Sequence, residues 1–249
     1  MIANNVTQIT SLAADSLQEI GDSFSLTSLT ILSTLNFPQL TKVDTIEWTA
    51  LPALQGLSFS TGVQEVSSLM IDNTQLNSLD GINLQVVDTM TVTNNPYLTS
   101  VNMQLGNVTK ALTLSANGKQ LDAEFPNLMW AYNMTIRNAS TVSIPSLESV
   151  NGSLGFYSDG FENLTAANLT SVGGSLSFVS CNSVTNISMP ELTTIGGGLQ
   201  LANNTKLEKI NGFPALKTVG GALDFNGVFN EYVVLACVLC SFVGLLTNS

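Results

Sequence analysis

Apolar residues in the second half of the chain recur in a long fixed frame, not at the spacing of a helix. Leu147, Leu169, Leu192 and Leu216 stand 22, 23 and 24 residues apart. Each is followed at the third position by Val150, Val172, Ile195 or Val219, at the seventh by Leu154, Leu176, Leu199 or Leu223, and at the ninth by Phe156, Phe178, Leu201 or Phe225. Degenerate copies are legible at 39–48, 84–95, 105–114 and 127–138. A repeat of roughly 20 to 29 residues with apolar positions two apart marks a solenoid of short strands. Within a unit, Leu199 and Leu201, or Met134 and Ile136, alternate with polar neighbours. Thr, Val and Ile are common, and Gly pairs and Pro punctuate too often for helices.

The expectation is therefore all-β: a right-handed parallel β-solenoid of about 20–25-residue leucine-rich rungs. Each rung is read as three short strands, for example 192–195, 198–201 and 207–210. One rung alone leaves both strand edges and half its apolar side chains in water, so only the stack is stable. Two residues after the last core position come Asn94, Asn138, Ser158, Ser180 and Asn203. Their side chains are expected to satisfy backbone groups left unpaired where the chain leaves the sheet. Trp48 falls on a core position. Trp130 and Tyr132 share parity with Leu128, Met134 and Ile136, which predicts an inward or edge-facing row.

Composition narrows the chemistry. With 249 residues, 44% hydrophobic and only 10% charged, the chain can bury one large continuous core. A net charge of −11 with seven scattered Lys and Arg provides no basic stripe, which excludes nucleic acid as a partner. Histidine is absent, which removes the usual general base, the commonest metal ligand and every Ser-His or Cys-His pairing. Cys181 stands alone, and Cys237 and Cys240 form a single C-x-x-C in an apolar stretch, so neither a zinc nor a redox site is expected. Paired carboxylates for glycoside hydrolysis would be Asp122 with Glu124 or Asp159 with Glu162, and nothing marks either pair as convergent. The Gly-rich runs match no phosphate-binding signature. No catalytic residue, cofactor or metal is assigned.

The acceptor sequence for N-glycosylation occurs at Asn5, Asn107, Asn133, Asn138, Asn151, Asn163, Asn168, Asn186 and Asn203, which favours a secreted glycoprotein. The opening text, "MIANNVTQIT", has neither a charged nor an apolar leader region, so either the protein is not exported or the start of the chain is missing. The repeat is assigned to 1–226 and an apolar, off-pattern tail to 227–249. Within that tail 232–246 is uncharged, shorter than the ~20 residues of a spanning helix. Three readings of it stay open: a cap on the last rung, an altered end of the chain, and an anchor signal with a short spacer after Asn226-Gly227.

The stretches "LTILSTLNFPQLTKVDTIEWTALPALQGLSFSTG", "SLESVNGSLGFYS" and "LANNTKLEKINGFPALKTVGGALDF", with the recurrent P-x-L-x-x-V-x-G, resemble fungal GPI-anchored cell-wall proteins of the sporulation-specific and extracellular-mutant type. That resemblance covers roughly residues 3 to 226. It implies receptor L-domain-like leucine-rich rungs and a non-enzymatic, glycosylated protein of the cell surface or cell wall that supports wall organisation. It implies cell-wall polysaccharide or wall proteins as partners, and membrane contact only through a lipid anchor or the apolar tail. The family's leader and Cys-bearing N-terminal cap have no counterpart in this text. The alternative reading is a carbohydrate-binding or receptor-like module that holds a wall ligand on one solenoid face.

Overall fold

The computed structural model describes residues 1–229, and among them there is no α-helix. Parallel strands stack so that Ala3, Leu26, Trp48, Ile71, Val92, Leu114, Ile136, Phe156, Phe178, Leu201 and Phe225 form one column, each the direct partner of the next. The steps run from 20 residues (Ile136 to Phe156) to 24 (Leu201 to Phe225). These residues number the rungs one to eleven. At the usual parallel-strand spacing, ten steps of about 4.8 Å give a stack roughly 50 Å long.

Each rung contributes a long strand to one 15-stranded sheet. In rungs two to seven it is nearly continuous, as in Glu19–Thr27, Lys42–Leu51 and Asn107–Ser115. Two or three successive outward residues interrupt the in-out alternation midway, and where a three-residue rung meets a two-residue one the register slips, between Ile20 and Ser23 and between Val108 and Ala111. That is a bulge, and it bends the strand around the core. From rung eight onward the strand splits in two, as in Ser149–Val150 with Leu154–Tyr157, or Thr194–Ile195 with Leu199–Asn204. Glycine makes the split close enough to stack. A Cβ on Gly173, Gly196 or Gly220 would lie 2.0, 2.1 or 2.3 Å from the carbonyl oxygen of the rung below.

Tight turns join the long strand to the opposite wall. Leu40, Leu128, Leu147, Leu192 and Leu216 each donate their N–H to the carbonyl three residues earlier, closing turns with proline at the second position, Phe37-Pro38-Gln39-Leu40 for example. Proline pre-sets the φ this position needs and lacks only an N–H that the turn does not use. On that wall short strands pair in three small sheets, including Ser11–Ala13 with Thr34–Asn36 and Asn163–Thr165 with Asn186–Ser188. The predicted third strand at 207–210 does not form; only a bridge residue, Lys209, is present there.

Apolar side chains meet between the walls in one continuous core. Leu147, Leu169, Leu192 and Leu216 are all buried, as the frame predicted. Phe24, Phe37, Trp48 and Phe59 pack edge-to-face, with ring centroids 5.2 to 6.1 Å apart. Phe156 stacks on Phe178 at 4.9 Å. Pairing continues to Gly227, and Phe229 lies edge-on to Phe225. The segment 232–246, with Cys237 and Cys240, lies outside the described residues.

Candidate functional site

The polar residues after the core column behave differently from expectation. Asn5, Ser28, Ala50, Asn73, Asn94, Ala116, Asn138, Ser158, Ser180 and Asn203 all adopt φ between 54° and 63°. This is the left-handed region, which Asn tolerates best among residues with a side chain. Asn94, Asn138, Ser158 and Asn203 are exposed and Ser180 half-exposed, so they turn the chain and do not form the buried ladder. The ladder is one residue further on: Thr74, Asn95, Asn117, Asp159, Cys181 and Asn204 point inward.

Its bonding rule is regular. The side-chain oxygen accepts the N–H of the equivalent residue one rung below: Asn95 from Thr74 at 3.0 Å, Asn117 from Asn95 at 3.2 Å, Asp159 from Ala139 at 2.7 Å and Asn204 from Cys181 at 2.9 Å. The side-chain N–H then donates to the column residue of that lower rung: Asn95 to Ile71 O, Asn117 to Val92 O and Asn204 to Phe178 O. Buried backbone groups at the corner are thereby paired. Burial pushes the Cys181 thiol up to about 12, so it stays protonated and unreactive.

Neither candidate carboxylate pair converges. Asp122 and Glu124 sit two apart on Leu121–Glu124, both exposed; one accepts from the Thr141 hydroxyl and the other from the Asn102 amide. Asp159 is buried while Glu162 is exposed, so they face opposite environments. Among the described residues no cluster of His, Cys, Asp and Glu could hold a metal ion. No helix among them is long and apolar enough to cross a membrane.

The parity reading of Trp130 and Tyr132 is overturned. Ala131 and Met134 are the buried pair of rung seven, with Tyr132 and Asn133 side by side at the bulge between them. Trp130 is therefore half-exposed on the outer surface and Tyr132 is 47% exposed. Trp48 is fully buried, as predicted.

Along the bulges of rungs three to five runs a shallow groove of about 390 Å³, lined by Asp44, Gln64, Glu65, Ser67, Gln85 and Asp88 among others. Lys42 on its lining and Lys110 from the next rung each pair with carboxylates. Lys42 lies 3.6 Å from Glu19 and 3.4 Å from Glu65, and these carboxylates, Glu19 foremost, raise its pKa. Lys110 reaches Asp88 at 2.9 Å; the Thr109 hydroxyl and then this ammonium hold the Asp88 carboxyl below its usual value. Beside the groove the outer face of the long sheet is a field of short hydroxyl side chains. Thr91, Thr113 and Thr135 stack in one row, and Ser23, Thr45, Ser68 and Thr89 in the next.

None of the nine glycosylation acceptors is buried: Asn107 and Asn133 are half-exposed and the rest are exposed. Asn5, Asn138 and Asn203 occupy the left-handed corner, and Asn163 and Asn186 are direct partners on the opposite wall. Asn133 uses only its oxygen, accepting Ser153 N–H at 2.8 Å. Their distribution is uneven. Eight lie between 107 and 203, and no acceptor sequence begins anywhere from 6 to 106. The groove and most of the hydroxyl field lie on that bare stretch.

These features define a leucine-rich β-solenoid with a continuous apolar core and an outer surface carrying eight of its nine glycosylation acceptors between 107 and 203. Similar chains are a cell surface GPI-anchored protein of Arthroderma benhamiae, 50% identical over 222 residues, covering 89% of this chain and 57% of that protein. Protein ecm33 of Aspergillus fumigatus is 46% identical, covering 90% and 56%. Cell wall mannoprotein PST1 of Saccharomyces cerevisiae is 40% identical over 209 residues, covering 84% and 47%. No family model and no solved structure matches. The chain spans about half the length of the curated relatives it matches. Over that half it is similar to fungal GPI-anchored cell-surface and cell-wall proteins, and the cell surface or cell wall is the location these relatives support. The names these relatives carry are those of surface and wall proteins, none of them an enzyme's.

Proposed function

We propose that this chain is a non-enzymatic structural module of the cell wall, a stiff glycosylated solenoid that organises neighbouring wall polymers or proteins and so supports wall integrity. The observation that carries the reading is the division of its surface. Glycans on 107–203 would keep that half hydrated and spaced from its surroundings. Rungs two to five, free of acceptors, offer a face of hydroxyls, amides and carboxylates that can lie against extended polymers. A single continuous core through the stack suits a load-bearing spacer, because no rung can yield without exposing its neighbours.

A second reading is favoured by the groove and by the outward Trp130 and Tyr132: recognition of one defined wall glycan, with the aromatic faces as stacking platforms. Sedimentation of the deglycosylated chain with purified wall glucan and with chitin separates the two. The structural module predicts weak retention, similar on both polymers and little changed by Tyr132→Ala. Saturable retention on one polymer, lowered at least tenfold by that substitution, would replace it with the recognition module.

A further inference from the structure

Asp159 is the odd member of the inward ladder. Where other rungs place Thr, Asn, Ala or Cys, it brings a carboxyl that is 2% exposed. Its Oδ1 makes the usual bond to the Ala139 N–H, but its Oδ2 is buried with no partner. At four other positions of the ladder the side chain donates to the column carbonyl one rung below: Asn95 to Ile71, Asn117 to Val92, Cys181 Sγ to Phe156 at 3.6 Å, and Asn204 to Phe178. The equivalent carbonyl for Asp159 is that of Ile136, the partner of Phe156. A carboxylate cannot donate; a carboxylic acid can.

We propose that Asp159 is a proton-operated latch between rungs seven and eight: protonated, its Oδ2 completes the ladder as a donor toward Ile136, and ionised, it loosens that joint. The groups that act on it are few. Arg137 and the backbone N–H groups of Ala139 and Tyr157 favour the carboxylate, whereas burial opposes it more strongly and lifts its pKa to about 7. Cys181, from the rung above, stays neutral. Arg137 itself lies over the Tyr157 ring, its guanidinium carbon 4.0 Å from the centroid, and is exposed. Glu162, three residues on, is also exposed.

The sign follows from linkage. The folded pKa lies above the unfolded value of about 4, so the folded joint holds its proton when the unfolded chain has released it. Stability from this group is complete below about pH 4, falls as pH rises toward about 7, and is level beyond. The joint is also where the long sheet changes from continuous strands to split ones.

The test is unusually clean because the chain has no histidine, the residue that ordinarily titrates in this range. Urea unfolding of the full chain is followed from pH 5 to 7 beside Asp159→Asn. The unfolding constant of the parent should rise by up to about tenfold per pH unit, and that of the variant should be flat. At pH 7 the variant should be the more stable, since Asn is the ladder's ordinary residue. Carbon-13 titration of aspartate carboxyls in the unaltered chain should show one midpoint near 7. A variant with the parent's pH slope, a variant that cannot fold, or carboxyls that all titrate below about pH 5 would each overturn the latch.

Discussion

Leu192 shows how a single residue carries the fold. It is fully buried in a column with Leu169 below and Leu216 above, and it closes the turn that begins at Met189. Leu192→Ala should cost about 2 to 5 kcal/mol through lost burial and the cavity left behind, read as a lower urea midpoint. Glycines separate more sharply. Gly196→Ala would press a methyl against Gly173 O, whereas Gly21→Ala meets nothing within 4 Å. The first should lower the melting temperature by several degrees and the second should leave it unchanged or slightly higher. The leucine column was legible because every rung demands the same contact, so the same residue type returns. Trp130 and Tyr132 were not, because parity arguments assume an unbroken strand. The outward pair Tyr132-Asn133 reverses their direction, and its counterparts are Asp44-Thr45, Ser67-Ser68 and Asp88-Thr89, which share no residue type with it.

At the scale of the element, the corner is built from a pair of residues with opposite duties. In Asn94-Asn95, Ser158-Asp159, Ser180-Cys181 and Asn203-Asn204 the first turns the chain through positive φ, and the second returns inward to bond the rung below. The sequence displays the doublets plainly, but not which member is buried. That choice depends on the left-handed turn, which two amides side by side do not reveal. Asn117→Ala separates the duties. It removes the acceptor of Asn95 N–H and the donor to Val92 O while leaving Ala116 to make the turn. With two buried groups unpaired, the loss should be about 1 to 3 kcal/mol. Hydrogen exchange should quicken first at Asn95; equal quickening across all rungs would show instead that the ladder does not act locally.

For the whole molecule, the repeat explains both stiffness and orientation. Stacking makes each rung the surface on which the next one packs, and it aligns equivalent side chains into faces that run the length of the solenoid. Fold class and period could be read from the spacing of Leu, Val and Phe, and the acceptor asparagines from their motif. The bare face could not, because it exists only once residues scattered from 19 to 93 are brought into register. If this face is the one laid against wall polymers, hydroxyl-radical footprinting will find it shielded there. The glycosylated chain is labelled free and within isolated walls, comparing Met70 and Val86 on the bare face with Ile31 and Tyr97 on the turns beside the corner, all of them exposed. Met70 and Val86 should lose reactivity several-fold in the wall while Ile31 and Tyr97 keep theirs. Protection of the turns with Met70 and Val86 still reactive would contradict it.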